Sequence, residues 1–382
     1  MVPFVLQGER DDLLAALAPA ERFTSKHGSN LAEQHVRVRR SQERDECFAE
    51  ATDGRMSYRS HLWGTFDAEE VDVLVHPRLA RAVAAMQGGP VTVTRGVSQD
   101  GSPSGELEVT GKGKARYAVP LGAGTLPTTF PGIDGIRWDD VVAIDAKEVL
   151  TAMVEASRFA NRNPSNPATT GVNLGKHDGA LLVAATDSYR FFQDEVALPS
   201  AGFPFGEDSV ILPLAMVEEL ARLFPTGEVR LAATPNLFFA KDVNDETTFA
   251  SRRLDGKFPD MWRLVPPEED FKVRVKFPRA EARDALNRIR RAVDGKTVRV
   301  ELEDADVGFH VRGDNGEAEE HLFLTTPVEK FSIGFNLEQL ISVLDAFSSD
   351  EVEVALVTPL RPALVRTDGE ARKILLMSVR IQ

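Results

Sequence analysis

Three stretches of the chain share one pattern: RAVAAMQGGPVTVTRGV at residues 81–97, EELARLFPTGEVRLAATP at 218–235 and LISVLDAFSSDEVEVALVTP at 340–359. Each begins with apolar residues at helical spacing, passes through Gly, Thr or Ser, and ends in an alternation of apolar and polar residues. This order predicts an amphipathic helix followed by a strand. The aligned valines Val91, Val229 and Val352 lie 138 and 123 residues apart. The sequence therefore predicts three copies of one α+β domain.

Further repeats support this interpretation. A second helix is predicted in each copy, at residues 13–19, 149–160 and 282–293. Two short motifs also recur: ATDGRM at 51 with ATDSYR at 185, and FPGID at 130 with FPDMW at 258. Because stretches rich in Gly and Pro, 122–135 and 258–270, fall where the copies meet, we expect domains at 1–137, 138–268 and 269–382. Each should have two helices packed on antiparallel sheets.

The bulk composition limits the class of protein. Of 382 residues, 42% are hydrophobic and 27% are charged, which is typical of a globular protein. The formal net charge of −14 argues against a general nucleic-acid binder and against an anionic membrane as partner. Cys47 is the only cysteine, and the first residues resemble neither a signal peptide nor a membrane anchor. We therefore expect a cytoplasmic protein, and any contact with DNA must be local.

The sequence has no complete catalytic or cofactor motif. VTGKGKAR at 109–116 lacks the first Gly of a phosphate-binding loop and the Ser or Thr after the Lys, and GAG at 122–124 lacks a third Gly. The seven histidines, His27, His35, His61, His76, His177, His310 and His321, are not at metal-ligand spacing. We expect no enzyme activity, no cofactor and no metal. Triplication without catalysis is typical of rings and solenoids, and a scaffold of other use stays an alternative.

Three stretches carry a resemblance to a known family: ATDSYRF at 185–191, RRLDGKFPDMWRLVP at 252–266, and FSIGFNLEQLISVLDAF at 331–347 with LLMSVRIQ at 375–382. They resemble the beta subunit of bacterial DNA polymerase III, the sliding clamp. The resemblance covers roughly residues 140–382 in the family's order and spacing. The first domain resembles it less, since HVRVRRSQERDECFAEA at 35–51 departs from the family pattern.

The resemblance implies a head-to-tail homodimer in which six sliding-clamp domains form a ring around duplex DNA. Sheets lie outside, helices line the pore, and the first domain of one chain meets the third of the other. Such a ring tethers DNA polymerase and other partners, is opened by an ATP-driven clamp loader and needs no cofactor. Two alternatives are an interaction hub that is no longer loaded efficiently, supported by the divergent first domain, and an enzyme on a triplicated scaffold.

The resemblance also implies that basic residues face the pore. In the helix at 279–296, Ala282, Leu286, Ile289 and Val293 form an apolar stripe, which leaves the arginines exposed. The candidate pore residues are Arg78, Arg81, Arg158, Arg162, Arg222, Arg283, Arg288 and Arg291. Arginines on exposed helix faces also serve solubility alone. The loop at 161–171 has asparagines that could contact phosphate, although such a loop is also an ordinary turn.

Family members bind partner peptides in a hydrophobic pocket between the second and third domains. One half of the pocket maps here onto Thr169, Thr186, Ser188, Tyr189, Arg190, Phe191, Pro259 and Leu264. The other half maps onto Asn336, Gln339, Leu360, Leu375, Met377, Ser378, Val379 and Arg380. Apolar walls and an adaptable Met suit Leu and Phe side chains of several partners, with Arg190 and Arg380 at the rim. For Phe191, Leu264 and Val379, ordinary core packing is the alternative.

Overall fold

The structure is a computed structural model. It describes residues 5–27, 31–41, 46–67, 71–98, 103–121, 133, 138, 141, 143–163, 166–177, 179–198, 205 and 209–381. Most of the predicted linker at 122–135 lies outside them. The chain forms two compact units: unit 1 comprises residues 1–147 and 219–253, and unit 2 comprises residues 148–218 and 254–382. The predicted division into three domains stays a prediction.

Unit 1 contains two antiparallel sheets. The five-stranded sheet has the order β5-β1-β7-β8-β9, with β1 (Val5–Glu9), β5 (Thr65–Phe66), β7 (Pro90–Val97), β8 (Pro103–Thr110) and β9 (Arg116–Pro120). The eight-stranded sheet has the order β10-β15-β16-β17-β4-β3-β2-β6, with β2 (Val36–Arg40), β3 (Cys47–Thr52), β4 (Met56–His61), β6 (Asp72–Val75), β10 (Ala143–Asp145), β15 (Glu228–Ala233), β16 (Leu237–Asp242) and β17 (Thr247–Arg252).

Unit 2 contains a second eight-stranded antiparallel sheet and one long hairpin. The sheet order is β14-β11-β12-β13-β23-β22-β21-β18, with β11 (Gly171–His177), β12 (Ala180–Thr186), β13 (Arg190–Val196), β14 (Val210–Pro213), β18 (Val273–Pro278), β21 (Glu351–Leu356), β22 (Ala363–Arg366) and β23 (Lys373–Leu376). The hairpin joins β19 (Thr297–Gly313) to β20 (Gly316–Asn336), and its register shifts around Asp304 divide it into two halves.

Six α-helices are found in the described residues: α1 (Arg10–Arg22), α2 (Arg78–Ala84), α3 (Ala146–Ser157), α4 (Leu214–Leu223), α5 (Arg279–Ala292) and α6 (Leu337–Asp345). Short 3-10 helices occupy Leu31–Gln34, Pro167–Thr169, Met261–Leu264 and Glu268–Asp270. None of these helices, over the part of the chain with described coordinates, is long and apolar enough to cross a membrane.

The element order confirms the predicted repeats. The three quoted stretches become α2 and β7, α4 and β15, and α6 and β21, and each aligned valine is fully buried in its strand. The second set of helices is α1, α3 and α5. In unit 1 the helix side of the sheet is aromatic: Phe23 stacks on Tyr58 at 5.2 Å between ring centroids, and the Tyr58 hydroxyl donates to the Ala16 carbonyl oxygen. Burial of such rings is the main favourable contribution to the core.

The motif ATDGRM repeats ATDSYR at the level of single hydrogen bonds. In the first copy the Thr52 hydroxyl donates to the carbonyl oxygen of Met56 (2.8 Å) and accepts from the N–H of Gly54 (3.1 Å). In the second copy the Thr186 hydroxyl likewise donates to the carbonyl oxygen of Arg190 (2.8 Å) and accepts from the N–H of Ser188 (3.1 Å). In both turns an Asp side chain accepts from two further N–H groups. The sequence repeat is therefore a structural repeat.

Candidate functional site

The face of the unit 2 sheet that is turned away from the helices, called the outer face below, carries a cluster of apolar side chains. At the joint between β13 and β23, Phe191 is paired with Leu375, and Leu375 with Leu364 of β22. These side chains are at most 3% exposed and belong to a core cluster with Ala184, Ile211, Phe258 and Ala355. Phe191 and Leu375, expected as pocket walls, are therefore the floor of the site.

The segment after β17 packs over this floor. Leu254, Met261, Trp262 and Val265 lie against the cluster, and the Trp262 ring meets Phe191 edge-on, with centroids 5.3 Å apart. Trp262 was not among the expected site residues, although its place inside FPDMWRLVP is a signal that could have identified it. Pro259 is half-buried in this segment, while Leu264 is 46% exposed at its end. Leu264 is thus available to a ligand.

The turn between β12 and β13 adds a second exposed apolar side chain, Tyr189, which is 60% exposed. Its neighbour Ser188 is exposed and has a φ of 76°, in the left-handed region that favours glycine. Thr186 below the turn is buried and uses its hydroxyl in the turn, as described above. Tyr189 and Leu264 therefore present apolar surface that the chain itself does not cover.

We expected Arg190 at the rim of the pocket beside Phe191, but the structure places it elsewhere. Its side chain is 14% exposed, pairs with Asp187 (2.7 Å) and donates to the Ser342 hydroxyl of α6. The guanidinium lies over the Phe159 ring, 4.8 Å from the centroid. Because neighbours along a strand point to opposite faces, Arg190 is on the helix face. It braces the turn from behind, which makes it a positioning residue.

A buried ion pair stabilises the same joint on the helix face. Arg372, just before β23, pairs with Asp194 of β13 at 2.9 Å and lies over the Phe192 ring. Burial raises the pKa of Asp194 above its usual range, and the attraction to Arg372 opposes that shift. Both partners are about 14% exposed. The pair fixes β23 against β13 and so keeps Leu375 beside Phe191.

The C-terminal segment forms one wall of the site. The N–H of Met377 donates to the Tyr189 carbonyl oxygen, and the N–H of Val379 donates to the Gly334 carbonyl oxygen, both at 2.8 Å. A methyl group at Gly334 would lie 2.7 Å from the Val379 oxygen, so only glycine allows this approach. Met377, Ser378 and Val379 are half-buried, and Arg380 is exposed. This segment therefore runs beside the turn that carries Tyr189.

The other expected pocket residues are less directly connected to it. Asn336 caps α6 by accepting from the N–H of Gln339 (3.1 Å). Thr169 is buried and bonded to Asn161, and its neighbour Ala168 packs against the apolar cluster. Leu360, 69% exposed, lies in the connection between β21 and β22. Asn161 is used in its own turn, where it accepts from the N–H of Asn163.

The apolar stripe predicted on α5 is confirmed, since Ala282, Leu286, Ile289 and Val293 are all at most 7% exposed. Arg288 and Arg291 are exposed, and Arg283 is half-buried. Five of the eight candidate pore arginines make ion pairs: Arg81 with Glu21, Arg158 with Glu155, Arg222 with Glu219, Arg283 with Asp284 and Arg288 with Glu320. Within the described residues, Arg78, Arg162 and Arg291 have no carboxylate partner.

A chain of repeated two-helix units on antiparallel sheets, with an apolar site on the outer face, has the fold of a sliding clamp. Two family models match it: the central domain of the DNA polymerase III beta subunit over residues 144–260 and the C-terminal domain over 262–379. The chain belongs to the DNA polymerase III beta subunit family, the beta sliding clamps. This family consists of non-catalytic processivity factors, as the sequence predicted.

Individual relatives agree. The beta sliding clamp of Streptococcus pneumoniae serotype 4 is 28% identical over 279 residues, which are 70% of this chain and 68% of the relative. A putative DNA polymerase III beta subunit from Eubacterium rectale has a TM-score of 0.85 at 16% identity, with 99% of this chain and all of that chain covered. A Pseudomonas aeruginosa sliding clamp bound to griselimycin has a TM-score of 0.84 at 21% identity, with both chains fully covered.

Proposed function

We propose that this chain encircles duplex DNA as a closed head-to-tail homodimer and tethers DNA polymerase and other partners through the apolar site of unit 2. The observation that carries the proposal is the pattern of strand joints. In unit 1, β4 pairs with β17, and in unit 2, β13 pairs with β23. In each joint, the third strand after the first helix of one repeat pairs with the third strand after the second helix of the next repeat. These strands are β4 after α1 with β17 after α4, and β13 after α3 with β23 after α6.

Two strands in these positions, one after a second helix and one after a first helix, do not take part in such a joint. β9 is the third strand after α2 and lies at the edge of its sheet. Residues 316–323, in the first half of β20, are the third strand after α5 if the two halves of β19 count as separate strands. In the described residues both have an open edge. Because open edges pair readily with a second chain, β9 of one copy and residues 316–323 of another are the proposed subunit joint.

The two edges are complementary in charge. We define the basic segment as Lys112, Lys114 and Arg116, all exposed at or just before β9. The acidic segment is Glu317, Glu319 and Glu320 in the first half of β20. Exposed apolar side chains accompany both, with Tyr117 at 40% and Phe323 at 85% exposure. A heterologous contact that closes after two copies needs such complementary ends.

Reversing the charges of one segment tests this joint. K112E/K114E/R116E should convert the dimer to monomer in light scattering, because acidic edges would then face each other. Adding E317K/E319K/E320K in the same chain should restore the dimer. K26E/R55E/K147E, a reversal of three exposed basic residues elsewhere with the same charge change, should leave the mass unaltered. Equal behaviour of the first and last variants would exclude this joint.

The proposed pore contacts are electrostatic. Exposed ion pairs contribute at most about 1 kcal/mol, so arginines that pair with surface carboxylates can exchange them for phosphate. Among the residues that the structure describes, Arg78, Arg162 and Arg291 have no such partner to give up. Contacts to phosphate carry no sequence information, which suits sliding.

Each of R78A, R162A and R291A should reduce the salt dependence of duplex binding by about one unit of slope, measured by fluorescence anisotropy. Unchanged slopes in all three would remove them from the pore.

We also propose the cytoplasm as the site of action. The proposed partners are DNA and its polymerases, and Cys47, the only cysteine of the chain, cannot form an intrachain disulfide. Fractionation of the source cells, with immunodetection of the chain, tests this; recovery in a membrane or extracellular fraction would contradict it.

A further inference from the structure

The hairpin of β19 and β20 brings together two histidines and a glutamate that are separate in sequence. His310 lies opposite Glu319, and Gly308 lies opposite His321. Nδ1 of His310 is 3.4 Å from a carboxylate oxygen of Glu319, and Nε2 of His321 is 2.5 Å from the same oxygen. One atom of each of His310, Glu319 and His321 that could bind a metal lies within 4.8 Å of the other two. The spacing of the histidines along the chain predicted no metal site. These three residues come together only through the register of the two strands.

The second nitrogen of each ring faces another carboxylate. Nε2 of His310 is 3.1 Å from Glu301, and Nδ1 of His321 is 2.7 Å from Asp306. Histidines that bind metals usually donate their other N–H to a carboxylate, which fixes the tautomer and orients the free nitrogen. Both rings have this arrangement, with the remaining nitrogen directed at Glu319. The cluster therefore has three ligand atoms and two supporting carboxylates.

The site is open to ions from solvent. The side chains of His310, Glu319 and His321 are 21%, 54% and 42% exposed. A methyl group at Gly308 would lie 2.7 Å from Nε2 of His310 and 3.2 Å from Cε1 of His321. Glycine at this position thus keeps the two rings close together. Ligands of one zinc ion, bound at about 2.0–2.2 Å, lie no more than roughly 4.4 Å apart, so small rotations suffice.

We propose that His310, Glu319 and His321 bind a divalent transition metal of the zinc class, with Glu301 and Asp306 as orienting carboxylates. Two imidazoles and one carboxylate are a zinc ligand set, and the fourth position stays open for water or another group. All five residues belong to one hairpin. Glu319 and His321 also lie in the strand of the proposed subunit joint, but the metal would be bound within one chain. A failed zinc titration would therefore leave the charge-reversal test of the joint unaffected.

Titration of the full chain with zinc chloride by isothermal calorimetry tests the site, at about pH 8, above the usual imidazole pKa of about 6.5. We expect one tight site per chain. H310A and H321A should weaken binding by on the order of 100-fold or more, and D306N, which keeps all three ligands, by about 10- to 100-fold. H27A, which removes an exposed histidine in unit 1, is the matched control. Circular dichroism of each variant shows whether the hairpin is still folded.

Cobalt(II) gives an independent measurement, since four-coordinate cobalt absorbs in the visible range and its spectrum should disappear in H321A but persist in H27A. Zinc binding that is equal in H310A, H321A and H27A would show adventitious surface binding and overturn the proposal. So would the absence of binding by the folded wild-type chain, in which case the cluster is only a set of contacts between imidazoles and carboxylates.

Discussion

The two eight-stranded sheets are built alike, yet one half of the outer face, formed by β2–β4 in unit 1 and by β11–β13 in unit 2, differs in chemistry. In unit 2 that face is the apolar floor around Phe191 and Leu375. In unit 1 the corresponding strands place Glu50, 3% exposed, among Arg37, Arg39 and Arg59 at 3.4, 3.1 and 2.5 Å. The repeat therefore preserves the backbone and varies the side chains. The other half of the face is apolar in both sheets, since Ala232, Phe239 and Ala250 of β15, β16 and β17 form an apolar cluster in unit 1.

The difference also explains why residues 35–51 depart from the family pattern. The alternating arginines of VRVRR point to one face of β2, and Glu50 lies directly opposite Arg37 on β2 and Arg59 on β4. A buried carboxylate requires cationic partners. The charged stretch is thus a coupled set of side chains, and its members are not independent surface residues.

The largest expected effect comes from breaking that set. Glu50→Gln leaves three partly buried guanidinium groups without their shared carboxylate and should lower the free energy of unfolding by about 3 kcal/mol. Urea unfolding followed by circular dichroism measures it. Asp11→Ala, which removes the exposed partner of Arg10, should change stability by less than about 0.5 kcal/mol. A loss below about 1 kcal/mol for Glu50→Gln would mean that the cluster is not a stabilising element.

The peptide site gives the next effect. Leu264→Ala removes an exposed apolar side chain and should weaken binding of a fluorescent pentapeptide ending in Leu-Phe by about tenfold, or 1–2 kcal/mol. Val97→Ala removes an apolar side chain of unit 1 that is still more exposed, at 68%, and should have no effect. Fluorescence polarisation compares the two. Equal losses would place the peptide outside the unit 2 site.

The paired turns allow a reciprocal exchange. Gly54 and Ser188 occupy the same position, with φ values of 82° and 76°. Ser188→Gly should stabilise the chain by about 1 kcal/mol, and Gly54→Ser should destabilise it by a similar amount, because a side chain is strained in this region. Thermal unfolding measures both. Shifts of the same sign in the two variants would show that the turns are not equivalent.

The smallest effect concerns acid stability in unit 2. Hydrogen bonds from Arg366 and Arg274 lower the pKa of Glu268 from its usual 4.5 to about 2. A carboxyl group with a depressed pKa contributes stability above its unfolded value, and this contribution is lost as pH falls from about 4.5 toward 2. Since Glu268 is largely exposed, the contribution is below about 1 kcal/mol. Glu268→Gln should flatten the pH dependence of the melting temperature in that window; an unchanged profile would refute this.

The sequence predicts local features well. The stripe of α5 and the buried valines of β7, β15 and β21 follow from helical and strand periodicity alone, since each pattern concerns neighbours along the chain. The strand joints do not follow, because pairing of Phe191 with Leu375 or Tyr58 with Phe249 depends on which open edges meet. The position of Arg190 behind its sheet and the grouping of His310 with His321 depend on register in the same way.

The family motif led us to expect Phe191, Leu264 and Met377 in the site, and the structure places Phe191 and Met377 at the joint between β13 and β23. What the motif could not give is exposure. Phe191 and Leu375 are floor, Trp262 is a neighbour that the motif does not single out, and Tyr189 and Leu264 are the side chains available to a ligand. Burial depends on the segment at 254–265 folding back over the sheet, a contact that no local pattern encodes.

The central claim is topological, and the most direct measurement uses DNA topology. The chain is loaded onto a nicked circular plasmid with a bacterial clamp loader and ATP, and the amount retained is measured by gel filtration before and after the plasmid is cut once with a restriction enzyme. A closed ring held only by enclosure should stay on the circle and be lost from the linear DNA within minutes. Equal retention on both forms, or no retention on the circle by a chain whose solution mass is twice 41.9 kDa, would contradict the account.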